Sequence, residues 1–67
     1  MTPQTDTIAA YRAAVRDLNE RVQSSDAYLL HAAGKDRRME QRYAAKLRRE
    51  RDAVLARLRE LEGSVAA

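Results

Sequence analysis

The sequence predicts an all-α protein that folds as an antiparallel two-helix hairpin, and three observations carry this prediction. Ala, Leu, Arg and Glu, which are good helix formers, dominate the 67 residues, and no Val/Ile/Thr-rich alternating run indicates a strand. Large apolar residues recur at alternating spacings of three and four, which is typical of helices that pack along a seam. Gly34 lies near the middle of the chain, where a short turn would join two helices of similar length.

The first helix is predicted over residues 6–33, starting after Thr5 or Thr7, with Asp6 favouring its positive N-terminal end. Continued towards the turn, its apolar spacing meets the polar run 24–26. A continuous helix is the favoured interpretation, and a break at this polar run is the main alternative. The seam of the first helix consists of Ile8, Tyr11, Val15, Leu18 and Val22.

The second helix is predicted over residues 37–62, after a turn at 34–36 in which Gly34 serves as a left-handed C-cap. Gly63 is predicted to end this helix, which leaves a short tail at 63–67. All 67 residues then form a single helical-hairpin domain. The seam of the second helix consists of Leu47, Val54, Leu58 and Leu61, with Leu55 beside it and Arg51 at one seam position, and it continues to Val65 in the predicted tail.

The two predicted helices face each other in a definite register. Folding about residues 34–36 makes the numbers of facing residues add to about 70. This register pairs Ile8 with Leu61, Tyr11 with Leu58, Val15 with Val54 and Leu55, and Leu29 and Leu30 with Met39 and Tyr43.

A lone hairpin of this size leaves much of each seam in contact with water. Only 17 residues are apolar and larger than alanine, and the chain contains neither Phe nor Trp. We therefore expect the chain to dimerise into a four-helix bundle or to dock on a larger partner, with the ten seam residues named above as its interface. Tyr28, Leu30 and Leu55 lie off the main seam, and they either form a second contact or broaden one core face.

The net charge of +3 is concentrated in one segment. Residues 35–51 carry eight Lys/Arg against three acids, a net of +5, whereas the segments on either side are each −1. At 100° per residue, the cations Arg38, Arg42, Lys46 and Arg49 form a stripe opposite the seam of the second helix.

The stripe has two interpretations, contact with nucleic-acid phosphates or a solvated face. Arg38 and Arg42 have no acid at a spacing of three or four, which favours an anionic partner. Glu50 lies four residues after Lys46, and Asp52 lies three residues after Arg49, so that half of the stripe has acids within helical reach.

Residues 37–51 resemble the basic region of bZIP transcription factors. The segment 38–45, Arg-Met-Glu-Gln-Arg-Tyr-Ala-Ala, and the later Arg49 and Arg51 follow that family's spacings. The resemblance implies DNA contact along this helix. Gln41 stands where the family has its base-reading asparagine, and we interpret the similarity as convergence.

The N-terminal part resembles the opening of the lambdoid phage W-type head–tail joining proteins, which have similar length. Met1-Thr2, Gln4 and the run Ala-Ala-Tyr-Arg-Ala-Ala-Val-Arg-Asp-Leu at 9–18 carry this similarity. The resemblance implies a phage structural protein with a β-hairpin between its helices. The helical pattern of this sequence at that place does not fit such a hairpin.

The residues offer little for catalysis. Cysteine is absent, and His31, the one histidine, has no carboxylate at helical spacing to orient it. No paired carboxylates and no glycine-rich phosphate loop occur. We therefore expect no enzyme activity, no cofactor, no metal and no small-molecule substrate.

The sequence also indicates location and role. No apolar run reaches the length of a membrane span and no signal peptide is evident, so we expect a cytoplasmic protein, or part of a virion if it is phage-derived. The favoured function is a non-enzymatic interaction protein that associates helix to helix, with itself or with another protein. The alternative is a small basic regulator that binds DNA or RNA through the 35–51 segment.

Overall fold

A computed structural model of the chain shows two antiparallel α-helices joined by a short turn. It describes the backbone of residues 3–66 and the side chains of residues 6–64. Helix α1 spans Pro3–Leu29, and helix α2 spans Gly34–Ala66. No strand occurs within the described backbone. The structure therefore confirms the predicted all-α helical hairpin.

Helix α1 is shifted towards the N-terminus relative to its predicted bounds. It begins at Pro3, because proline has a fixed φ and lacks the N–H that the first helical position leaves unused. It passes through the polar run 24–26 without a break and ends at Leu29. The predicted end at residue 33 is wrong, since the backbone N–H groups of Leu30 and His31 bond to carbonyls three residues back, which tightens and terminates the helix.

Gly34 adopts the predicted left-handed conformation, with φ of +60°, but at a different place in the architecture. It is the first residue of α2 and lies beyond the end of α1, so it does not cap α1 directly. The carbonyl of Ala33 accepts a hydrogen bond from the Arg37 N–H at 3.5 Å. Helix α2 therefore begins three residues before its predicted start.

The prediction that Gly63 ends the second helix is wrong. Helix α2 continues through Gly63 to Ala66, and of the two glycines only Gly34 has a positive φ. A single glycine inside a helix costs about 0.5–1 kcal/mol relative to alanine, which is too little to stop a helix that is otherwise built of good helix formers. Most of the predicted tail is thus helical, while Ala67 and the side chain of Val65, predicted to continue the seam, lie outside the described part of the chain.

The ten predicted seam residues all lie between the two helices of the hairpin. Ile8, Val22, Leu47 and Leu58 are buried together with Ala44, which the prediction did not include. Ala44 is 1% exposed, so its small side chain is covered completely on the side of α2 that faces α1. The other seam residues are half-buried, namely Tyr11, Val15, Leu18, Val54, Leu55 and Leu61.

The predicted apolar cluster beside the turn does not form. Leu30 is 80% exposed, Met39 58% and Tyr43 46%, whereas the sequence predicted that they would pack together with Leu29. Leu30 lies in the turn, past the end of α1, and Glu40 and Ala44 occupy the positions of α2 that face α1. Met39 and Tyr43 are therefore displaced to the flank of α2.

A polar contact replaces that cluster inside the seam. Ser25 is 3% exposed, and its hydroxyl donates a hydrogen bond of 2.7 Å to Oε1 of Glu40. A hydrogen bond to a charged group is stronger than one between neutral groups, and a polar pair at a seam position disfavours slipped registers. The polar run 24–26 thus supplies a contact that fixes how the two helices align near the turn.

Replacing Gly34 by alanine is expected to lower the free energy of unfolding by about 1 kcal/mol. The cost comes from the backbone, because the left-handed region is unfavourable for any residue with a Cβ, while the space around Gly34 is open. Gly63→Ala is the matched control, since it places the same methyl group in open space on an ordinary helical backbone. It should raise stability by about 0.5 kcal/mol. Urea unfolding checks both signs, and a stabilising Gly34→Ala would contradict the turn described here.

Ser25→Ala is expected to lower the free energy of unfolding by about 1–2 kcal/mol, because it removes the bond to the Glu40 carboxylate. Ser24→Ala is the matched control, since Ser24 is exposed one residue earlier in the same helix. This control should be neutral or slightly stabilising, because alanine is the better helix former. Equal effects of the two variants in urea unfolding would show that the Ser25 contact contributes nothing.

Candidate interaction surfaces

The predicted basic stripe lies on the exposed face of α2. Arg38, Arg42, Lys46 and Arg49 are all exposed, while Leu47 on the opposite face is buried. The ammonium of Lys46 lies 4.0 Å from a carboxylate oxygen of Glu50. The other three cations form no ion pair with any described residue.

Arg49 lacks the partner that its spacing offered. The carboxylate of Asp52 instead pairs with the neighbouring Arg51, whose guanidinium lies 3.1 Å from Oδ1 of Asp52. Arg51 sits at a half-buried seam position and also donates a bond of 3.4 Å to the side-chain oxygen of Asn19 on α1. The geometry therefore leaves Arg49 available for an external anion, as it does Arg38 and Arg42.

One side of the hairpin is closed by polar bridges between the helices. Arg12, Asn19 and Asp26 recur seven residues apart on α1, which places them on one side of that helix. Each reaches across to α2. Arg12 pairs with Glu62 at 2.9 Å, Asn19 accepts from Arg51, and Asp26 pairs with Arg48 at 2.6 Å. We call this side the bridged groove.

The opposite side of the turn half of the hairpin, residues 21–51, is open and carries large apolar side chains. Helical geometry puts Tyr28 on the flank of α1 opposite to Asp26, and Met39 and Tyr43 on the flank of α2 opposite to Arg48. Tyr28 is 51% exposed, and Met39 and Tyr43 are also exposed. We call the surface formed by Tyr28, Met39 and Tyr43 the open groove.

Towards the chain termini, helical geometry places Arg57 on this same side. Its guanidinium bonds to Oε2 of Glu60 at 3.0 Å. This hydrogen bond and the negative charge of Glu60 raise the pKa of Arg57 above its ordinary value, and the Tyr11 phenol acts in the same direction. The open groove is confined to the turn half, because the exposed large apolar side chains of the described residues all lie there.

The described residues contain no cluster of three or more His, Cys, Asp and Glu side chains arranged to hold a metal, and no enclosed pocket. His31 is exposed in the turn. Neither described helix is long and apolar enough to span a bilayer. The surface features that stand out in the described part of the chain are the basic stripe and the open groove.

Sequence reasoning located the seam and the stripe but missed the difference between the two sides. A signal for it was present, since Arg12, Asn19 and Asp26 share one heptad position. Arg48 and Glu62, which lie fourteen residues apart, share another. Polar residues that recur every seven positions beside an apolar seam indicate bridges between helices. Tyr28, Met39 and Tyr43 carried no comparable signal, because each suits a broad core equally well.

No protein-family model matches this chain, and comparison with curated proteins and with solved structures gives no significant match either. The β-hairpin that the W-type resemblance implied is absent from residues 3–66, where a four-residue turn joins the helices. The segment that resembles a bZIP basic region lies on α2, which packs against α1 of its own chain.

Proposed function

We propose that this protein functions by helix-to-helix association, as a homodimer or as a small subunit of a larger assembly, and that it is not an enzyme. The observation that carries the proposal is the solvent-accessible surface of the protein, which is 5145 Å². A folded monomer of 7.6 kDa typically exposes about 4,300 Å². The excess of about 850 Å² is close to the roughly 800 Å² that each partner buries in a standard protein interface.

The shape of the hairpin and the position of its apolar side chains support the same proposal. The molecule measures 49 × 16 × 13 Å, so that few side chains lie far from water. Among the described residues, only five apolar side chains are buried, whereas four large ones are exposed at the turn half. Packing a further helical surface on the open groove would remove Tyr28, Met39 and Tyr43 from water and complete the core on that side.

If association stabilises the fold, the melting temperature is expected to rise with protein concentration, because the folded species is then favoured by mass action. Circular dichroism melts at 5 and 500 μM, followed by sedimentation equilibrium at the same concentrations, provide the measurement. A monomer of 7.6 kDa with an unchanged melting temperature across this range would contradict self-association. The proposal would then require a different protein as the partner.

A second candidate function is nucleic-acid binding through the basic stripe, and the unpaired state of Arg38, Arg42 and Arg49 favours it. Cations that lack a protein partner and share one exposed face attract phosphates and release their counterions on binding. From residue 38 to residue 49 the stripe spans about 16 Å at the rise of a helix. That length suits several successive phosphates on a nucleic-acid backbone.

Arg38→Gln/Arg42→Gln is expected to weaken duplex binding for all sequences alike and to reduce the slope of log K against log salt by about two. The control is Arg16→Gln/Arg59→Gln, which removes the same charge from two exposed arginines outside the turn half, neither of which is ion-paired to a described residue. Fluorescence anisotropy with random duplex DNA and RNA at two salt concentrations provides the measurement. Equal losses of affinity in both variants would indicate a general charge effect. An unchanged affinity in the stripe variant would exclude the stripe as the nucleic-acid-binding surface.

A further inference from the structure

We infer that two copies of this chain pair antiparallel, so that the open groove of each lies on the terminal half of the other. The inference rests on the proposed self-association and specifies its face and its orientation. Three features of the hairpin support it: the separation of charge between its halves, the size of the side chains along one flank, and the ion pairs midway along that flank.

Charge is divided unequally between the two halves of the hairpin. The turn half, residues 21–51, carries nine Lys/Arg against four Asp/Glu, a net of +5. The terminal half, residues 1–20 and 52–67, carries four against six, a net of −2. A turn-to-turn dimer would place two strongly positive halves side by side, whereas an antiparallel dimer places each beside a negative half. Complementary charge of this kind selects orientation.

Side-chain size along the side of the hairpin that holds the open groove also favours antiparallel pairing. Ala14 occupies the heptad position of Tyr28, and Ala53 occupies that of Met39, since each pair lies fourteen residues apart. Ala53 is exposed and Ala14 is half-buried. At these two positions the turn half therefore carries large protruding side chains and the terminal half carries alanines, while Arg57 holds the heptad position of Tyr43 in the terminal half. Antiparallel pairing packs Tyr28 and Met39 of each copy against the alanines of its partner.

The middle of this flank carries charges that suit a twofold axis. Arg21 pairs with Asp17 at 3.1 Å, and Lys46 lies 4.0 Å from Glu50. All four side chains are about half exposed or more. Each pair runs along its helix with a cation nearer the turn and an acid nearer the termini. A twofold axis between them brings the cations of one copy opposite the acids of the other, as an isologous interface requires.

The orientation is tested by one distance. The chain contains no cysteine, so His31→Cys in the exposed turn accepts a single spin label. Pulsed EPR on the dimer is expected to give a distance comparable with the 49 Å length of the hairpin, because the two turns lie at opposite ends. A distance under about 25 Å would place the turns together and overturn the inference while leaving self-association intact. A monomer in sedimentation of the same sample would overturn both.

The face is tested by two alanines on α2, both exposed in the terminal half. Ala53→Arg introduces a large cation where the partner's open groove is placed, and it is expected to weaken dimerisation at least about tenfold. Ala56→Arg is the matched control, because it lies opposite the seam, and its dimer dissociation constant should stay within about twofold of the parent. Circular dichroism verifies that both variants are folded. Equal dissociation constants for the two variants would show that the dimer uses another face.

Discussion

The structure depends on a single seam in which two helices meet at spacings of three and four. Four of its ten predicted residues are buried and six are half-buried, because each helix has only one neighbour. A seam of this kind fixes the relative position of the helices but leaves their flanks in water. The polar bridges, the open groove and the large accessible surface all follow from a core that is one layer thick.

Polar residues complete the alignment that the apolar seam begins. An apolar seam alone tolerates slips of the register, since one aliphatic side chain replaces another at little cost. The Ser25–Glu40 bond lies near the turn, the Asn19–Arg51 bond lies at mid-length, and the Arg12–Glu62 pair lies near the termini. These contacts are distributed along the hairpin, so a slip of either helix would break all of them together.

The seam was predictable from the sequence because its periodicity follows directly from helical geometry. The helix ends were less predictable, because they depend on the competition between weak local preferences. Gly63 matched a C-cap in sequence, yet an ordinary helical φ was available to it and the helix continued. The predicted packing of Met39 and Tyr43 was also wrong, because it rested on their size. The small Ala44 occupies the buried position between the helices instead. Which side chain of α2 is buried at this point depends on the residue of α1 that faces it. The spacing of apolar residues within α2 does not reveal that facing residue.

The positive surface of the turn half follows from how the structure uses its acids. Within residues 21–51, Asp26 is bound by Arg48, Glu40 accepts from Ser25, and Glu50 lies beside Lys46. Asp26 and Glu40 join the two helices and Glu50 pairs within α2, whereas Arg38, Arg42 and Arg49 are left on the outer face without an ion-pair partner among the described residues. The outer face points away from the seam, and the open groove lies to its side. An antiparallel dimer would therefore cover the groove and still display the outer face of each copy, one near either end of the bundle. Self-association would cover the flank of α2 that carries Lys46, whereas phosphate binding would use Arg38, Arg42 and Arg49 on its outer face, so the two proposals are compatible.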